Sequence, residues 1–193
     1  MRIGIDLDDV VFDFVNLLLK KYNEKFEKEI LFEEIYDFYF AKIFGMTEEE
    51  FNKFFIEIFD KETVINMNLI KDANLILDLF EDEDNKIFFI TSRADARNGT
   101  IESLNKNFPK TSFKLFFSSN PYCKTEGKNK GEICKDLELD FMIEDDPKHA
   151  EDCAKKEIKV LLLDKPWNKN CIEHEKIKRV NNWKEILEKL NGN

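Results

Sequence analysis

Five short, continuously apolar runs punctuate the chain: Arg2 to Leu7, Ile87 to Thr91, Phe113 to Ser118, Phe141 to Asp145 and Lys159 to Asp164. Helix-like segments fill most of the intervals between them. A strand covered by helices on both faces has no solvent side, so it loses the polar and apolar alternation of a half-exposed strand. The pattern predicts an α/β fold with a doubly wound parallel sheet, whose ligand chemistry lies at the C-terminal ends of the strands.

The interval between the first two runs is about eighty residues, far beyond the dozen that a crossover needs. The surplus is read as a small helical cap over residues 13–81, inserted after the first strand into a core of residues 1–12 and 82–193. Thr47-Glu48-Glu49-Glu50 forms a capping box. Phe51, Phe54, Phe55, Ile58 and Phe59 follow at helical spacing, and Leu69 to Glu81 is expected to be the helix returning the chain to the sheet.

At 193 residues with 42% hydrophobic content, the chain suffices for one sizeable core. A net charge of -10 with 36% charged residues argues for a soluble protein and against nucleic-acid polymers as partners. Cys123, Cys134, Cys153 and Cys171 form no metal-ligand pattern with each other or with His149 and His174, and are read as buried or bystander thiols. The N-terminus carries no secretory pattern and no apolar run has membrane-spanning length, so a cytoplasmic location without membrane association is expected. Gly127 to Gly131 reads as a loop.

The opening strand runs straight into Asp6-Leu7-Asp8-Asp9. Residues i and i+2 of a strand share a face, so Asp6 and Asp8 would flank one ligand. Acids so close repel one another and call for a divalent cation or lysine partners. Thr91-Ser92-Arg93, Lys130 and Glu144-Asp145-Asp146 follow in order, each at or beside a strand end. Singly, these are ordinary turns, helix caps and solvated lysines. Together they converge on one edge of a parallel sheet.

An apolar strand ending in Asp-x-Asp, a distant Thr after the second strand, a Lys and a final acidic pair resemble the haloacid dehalogenase-like phosphohydrolases over nearly the whole chain. Ile5-Asp6-Leu7-Asp8-Asp9-Val10, the helical insert, Leu163-Asp164-Lys165-Pro166-Trp167-Asn168 and Asn182-Trp183-Lys184-Glu185-Ile186-Leu187 are similar to 5'(3')-deoxyribonucleotidases and their bacterial relatives. The resemblance implies Asp6 as the nucleophile and Asp8 as the acid and base. Thr91, Ser92 and Lys130 would bind the phosphate, with Lys128 as the fallback for Lys130. Asp6, Asp145 and the backbone carbonyl of Asp8 would bind Mg²⁺. Glu144 would orient a metal-bound water or support Asp145, and Asp146 would cap a helix starting near Pro147. Asp9 stands where many relatives have Gly, and Val10 where many have Thr. Arg93 is read as pairing with Asp9, with a substrate phosphate as its other candidate partner.

The function so implied is Mg²⁺-dependent hydrolysis of a small phosphomonoester through an aspartyl-phosphate, with a nucleoside monophosphate as substrate. Phe12, Tyr39 or Phe40 would then stack on the base, although such aromatics more commonly fill a core. A sugar phosphate is the alternative substrate. A phospho-accepting receiver domain and a catalytically idle binding protein are the alternatives of other classes, the first opposed by the long insert. Assembly into a homo-oligomer is left open.

Overall fold

A computed structural model describes residues 1–82, 84–93, 96–109, 111–119, 126–170 and 172–192; Cys123 and Cys171 lie outside them. Six strands form one sheet: β1 (Arg2–Ile5), β2 (Lys86–Thr91), β3 (Lys114–Phe117), β4 (Phe141–Glu144), β5 (Lys159–Leu163) and β6 (Ile177–Val180), in the order β3-β2-β1-β4-β5-β6. All neighbouring pairs are parallel. The central strand β1 is in register with β2 through Ile5 and Phe89 and with β4 through Ile5 and Ile143. The doubly wound parallel expectation therefore holds, with one strand more than the apolar runs suggested. In β6 only Val180 is buried while Lys178 and Arg179 face solvent, as suits an edge strand that must discourage further pairing.

The two-residue period of the strands divides the core. Ile3, Ile5, Ile87, Phe89, Ile143 and Leu161 belong to one buried cluster, and Phe88, Ile90, Met142, Val160 and Leu162 to the other. On the first face they meet Leu18 of α1 (Phe14–Phe26), Leu104 of α6 (Arg97–Asn107) and Ile186 of α9 (Trp183–Asn191). On the second they meet Ile133 and Cys134 of α7 (Lys130–Asp136) and Ala150 and Cys153 of α8 (Pro147–Ala154). Each such aliphatic side chain contributes roughly 1.5–3 kcal/mol on full burial. Trp183, fully buried, donates its indole N–H to the Val10 carbonyl at 2.8 Å and so ties the last helix to the segment after β1.

Between β1 and β2 the chain forms α1, α2 (Phe40–Ile43), α3 (Glu48–Ile58), α4 (Lys61–Asn66) and α5 (Ile76–Glu81). Thr47 caps α3 reciprocally with Glu50, as expected. The expected helix from Leu69 does not begin there. Leu69 pairs with Phe12 in an antiparallel bridge, and the Ile70 N–H bonds the Val11 carbonyl at 2.9 Å. Asp72 then turns the chain at φ 63°, Ala73–Leu75 form a 3₁₀ turn, and α5 starts only at Ile76. Leaving and returning segments thus lie side by side, which costs the return segment its first helical turns. Among the described residues no helix is long and apolar enough to cross a membrane.

Candidate active site

β1 ends at Ile5, and the ladder continues one residue further through the Asp6 N–H to the Ile143 carbonyl at 3.0 Å. The Asp6 carboxylate therefore stands just beyond the C-terminal edge of the sheet, only 5% exposed. Asp8 lies past the strand in the following turn, bridged to Phe12. Its relation to Asp6 is set by that turn and not by the strand pleat.

Lys130 is the first residue of α7, whose start is fixed by a capping box between Asn129 and Glu132. Gly131 permits the placement: a Cβ there would stand 2.5 Å from the Asp152 carbonyl oxygen of α8, so the close approach of the two helices requires glycine. The Gly127 to Gly131 stretch is accordingly a loop only up to this helix. The Lys130 ammonium reaches Asp6 Oδ1 at 2.7 Å and Glu144 Oε1 at 2.5 Å with 2% of its side chain exposed. Lys128 is solvent-exposed and pairs with Asp136, away from these acids.

Glu144 ends β4 fully buried, its second oxygen accepting the backbone N–H groups of Asp145 and Asp146 at 2.7 and 3.0 Å. With three donors satisfied, it anchors both Lys130 and the turn that carries Asp145. Asp145 Oδ2 accepts the Trp167 indole N–H at 2.9 Å, and its carbonyl accepts the Asn168 amide at 2.8 Å. Asp146 caps α8 through the Lys148 N–H, as expected.

Carboxylate oxygens of Asp6, Glu144 and Asp145 lie within 4.8 Å of one another. Lys130 pairs with Asp6 and Glu144, and Lys165 offsets part of the charge of Asp145. Burial and Glu144 push the Asp6 carboxyl up to about 8, although Lys130 pulls it down. Burial, then Glu144, Asp9 and Asp6, push Asp145 well above the carboxylate range. Burial opposes the charge of Lys130, but Asp6 and Glu144 outweigh it and hold the ammonium above its ordinary value. An all-oxygen donor set with excess negative charge fits a hard dication. Asp6 and Asp145 each commit one carboxylate oxygen to these contacts and retain the other.

Asp8 is chelated by Arg93 at 2.5–3.0 Å, so the partner expected to be Asp9 is Asp8. Asp9 instead adopts φ 54° and aims both carboxylate oxygens at the Val15 N–H at 3.2 Å, closing the N-terminus of α1. A glycine would adopt that left-handed backbone without strain. Thr91 ends β2 fully buried, with its hydroxyl 3.4 Å from the Arg93 N–H. The Ser92 hydroxyl bonds Ser118 at 2.9 Å and approaches His149 Nε2 at 3.5 Å. The structure therefore joins Asp6, Lys130, Glu144 and Asp145 directly, and links Asp8 through Arg93 to the loop of Thr91 and Ser92. Trp167, Asn168 and His149 were not singled out from sequence as site residues. The signal for the first two was the Pro166-Trp167-Asn168 turn directly after β5.

Of the aromatics considered for stacking, Phe12 and Phe40 are buried while Tyr39 is 46% exposed, its ring under the Lys148 ammonium at 4.7 Å.

A nucleotidase of Clostridium acetobutylicum is 28% identical, the match covering 96% of this chain and 91% of that protein. The crystal structure of a predicted phosphatase from the same species superposes with a TM-score of 0.69 over 100% of this chain and 98% of that one, at 14% identity. A HAD family hydrolase from Deinococcus radiodurans, solved with bound phosphate and sodium, gives 0.66 over 99% and 95%, at 10% identity. At such identities the solved structures speak for the fold alone. The model of the family 5' nucleotidase, deoxy (pyrimidine), cytosolic type C protein matches residues 1–191. The chain belongs to that family of HAD-like phosphatases.

Proposed function

We propose that the protein is a Mg²⁺-dependent nucleotidase that releases phosphate from nucleoside monophosphates through an aspartyl-phosphate on Asp6. The observation that carries this reading is the buried contact of Asp6 with Lys130 beside Asp145, at the sheet edge where a doubly wound fold binds its ligands. An Asp6 oxygen attacks phosphorus, and Asp8 gives a proton to the departing ester oxygen. Asp8 then takes a proton from the water that cleaves the acyl-phosphate. The Thr91 hydroxyl and the Ser92 N–H hold phosphate oxygens, while Lys130 offsets their charge and keeps Asp6 oriented. Asp6, Asp145 and the Asp8 carbonyl would hold Mg²⁺, which supplies further neutralisation of the phosphate oxygens.

Residues 13–81 act as a cap that excludes bulk water and selects the leaving group. A cytoplasmic location fits a substrate of this class. Family membership and the nucleotidase relative support a nucleotide substrate. Phosphate release from nucleoside 5'- and 3'-monophosphates and from sugar phosphates, with Mg²⁺ and with chelator, tests the reading. Turnover of nucleotides that chelator abolishes is expected; activity confined to sugar phosphates, or unaffected by chelator, would refute it.

A further inference from the structure

Arg93 lies two residues beyond β2, and 2% of its side chain is exposed. Its Nε stands 3.0 and 2.9 Å from the two oxygens of Asp8, and its Nη2 stands 2.5 Å from Oδ1. The Nη2 group also reaches Met67 Sδ at 3.3 Å. The guanidinium carbon sits 5.1 Å from the ring centre of Phe12 and 5.6 Å from that of Phe59. Phe59 follows α3 and Met67 follows α4. The insert thus brings Phe59 and Met67 against the guanidinium, Phe12 reaches it from the segment after β1, and its Nε and Nη2 groups hold Asp8.

The Nη1 group is buried without a hydrogen-bond partner. Such a group costs about 1–3 kcal/mol, so the guanidinium is held here by its bonds to Asp8 and its packing, not by full satisfaction of its donors. Asp8 itself keeps 28% of its side chain exposed. A carboxyl group has about four lone-pair directions, and a guanidinium fork occupies one edge. The exposed remainder is left for a ligand.

We propose that Arg93 is a positioning residue for Asp8: it sets the rotation of the carboxyl that protonates the leaving oxygen, and because Phe59 and Met67 clamp it, that setting requires the insert to be seated. The proposal rests on the reading of Asp8 as proton donor. In the step concerned, an Asp6 oxygen bonds to phosphorus as the bond from phosphorus to the ester oxygen breaks. The Asp8 proton passes to that oxygen, and the leaving group departs as a neutral alcohol. A nucleoside alkoxide needs this proton, whereas nitrophenolate, a weak base, leaves without it.

The test compares kcat/KM, which covers only the steps up to departure of the leaving group, for thymidine 5'-monophosphate and 4-nitrophenyl phosphate with Mg²⁺. Arg93→Gln is expected to lose about 10²-fold on the nucleotide, the scale of a general-acid contribution, and at least about tenfold less on the nitrophenyl ester. Placed on Asp8→Asn, the same substitution should cost nothing further, because the two residues act as one unit. Arg93→Lys, which keeps the charge without the fork, should fall between wild type and Arg93→Gln.

Equal losses on both esters, or a full additional loss in the Asp8→Asn background, would overturn the proposal. Failure of the parent reading looks different: Asp8→Asn would then keep wild-type nucleotide hydrolysis whatever stands at position 93. If circular dichroism shows Arg93→Gln unfolded, Met67→Ala and Phe59→Leu loosen the clamp without removing a charge. They should shift the same ratio of the two esters, and an unchanged ratio would overturn the proposal.

Discussion

The rim of the sheet and the helical insert are held by different forces. At the rim, Asp6, Lys130, Glu144 and Asp145 are each at most 5% exposed and are fixed by short directional bonds from several elements. In the insert, rings pack on rings: Phe14 meets Phe40, Phe55 and Phe59 edge-on at 6.1, 6.1 and 5.7 Å. Ile56 and Leu31 remain 75% and 61% exposed. Ring contacts are individually weak, about 0.5–1.5 kcal/mol beyond their buried area, while a buried bond to a charged group such as that from Trp167 to Asp145 is costly to break. The proposed chemistry uses the side held by directional bonds, and the proposed substrate selection uses the side built from packed rings.

The largest effect should come from the rim. Asp6→Asn keeps the shape of the side chain and removes the nucleophile, so phosphate release should fall at least about 10³-fold with little loss of helical signal. Retention of wild-type turnover would remove Asp6 from the mechanism. Lys130→Met breaks a buried pair and leaves acids uncompensated, at a cost of about 3–5 kcal/mol. At about 2–4 °C per kcal/mol for a domain of this size, Tm should fall by about 6–20 °C. A modest loss of volume at a half-buried ring of the insert, Phe55→Leu, should cost about 1–2 kcal/mol. Similar Tm losses for the two variants would erase the contrast between the regions.

The same contrast governs what could be read from sequence. Runs such as Phe88-Phe89-Ile90 announce a strand covered on both faces, and so the central sheet was legible. The edge strand β6 was not, because Lys178 and Arg179 belong to solvent and break the apolar signal. Four chemical segments at successive strand ends were visible as an ordered set, but their pairings were not. Lys130 and Lys128 look alike in Gly-Lys-Asn-Lys-Gly; only the start of α7 and the close packing of Gly131 bury one and leave the other in water. Arg93 was matched to the wrong acid because the left-handed backbone of Asp9 turns that carboxylate toward α1, a matter of φ that residue type alone does not announce.

Acidity offers a third way to probe the rim. Burial and the neighbouring Glu144 raise the Asp6 carboxyl from its ordinary 3.8 to about 8. Between these values the native state binds more protons than the unfolded chain, so this group stabilises at low pH and its contribution fades as pH rises toward 8. The Tm of metal-free protein should therefore decline between about pH 5 and 8. Mg²⁺ favours the ionised acids, so the Tm increase it causes should be larger at the alkaline end. An increase that is the same at both ends would mean that the cation does not engage these carboxylates.

The smallest expected effect tests whether the insert behaves as one body. Thr47 accepts the Glu50 N–H at 3.2 Å, and Glu50 returns the bond to the Thr47 N–H at 2.8 Å, both near the exposed start of α3. Thr47→Ala removes the first of these and should cost about 1 kcal/mol, a few degrees in Tm. Phe59, which touches Arg93, lies at the opposite end of this helix. If the weak ring contacts of the insert let its parts respond separately, fraying at Thr47 stays local and kcat/KM for a nucleotide is unchanged. A fall in kcat/KM alongside Tm would instead mean that α3 transmits the loss along its whole length, making the insert as stiff as the rim it covers.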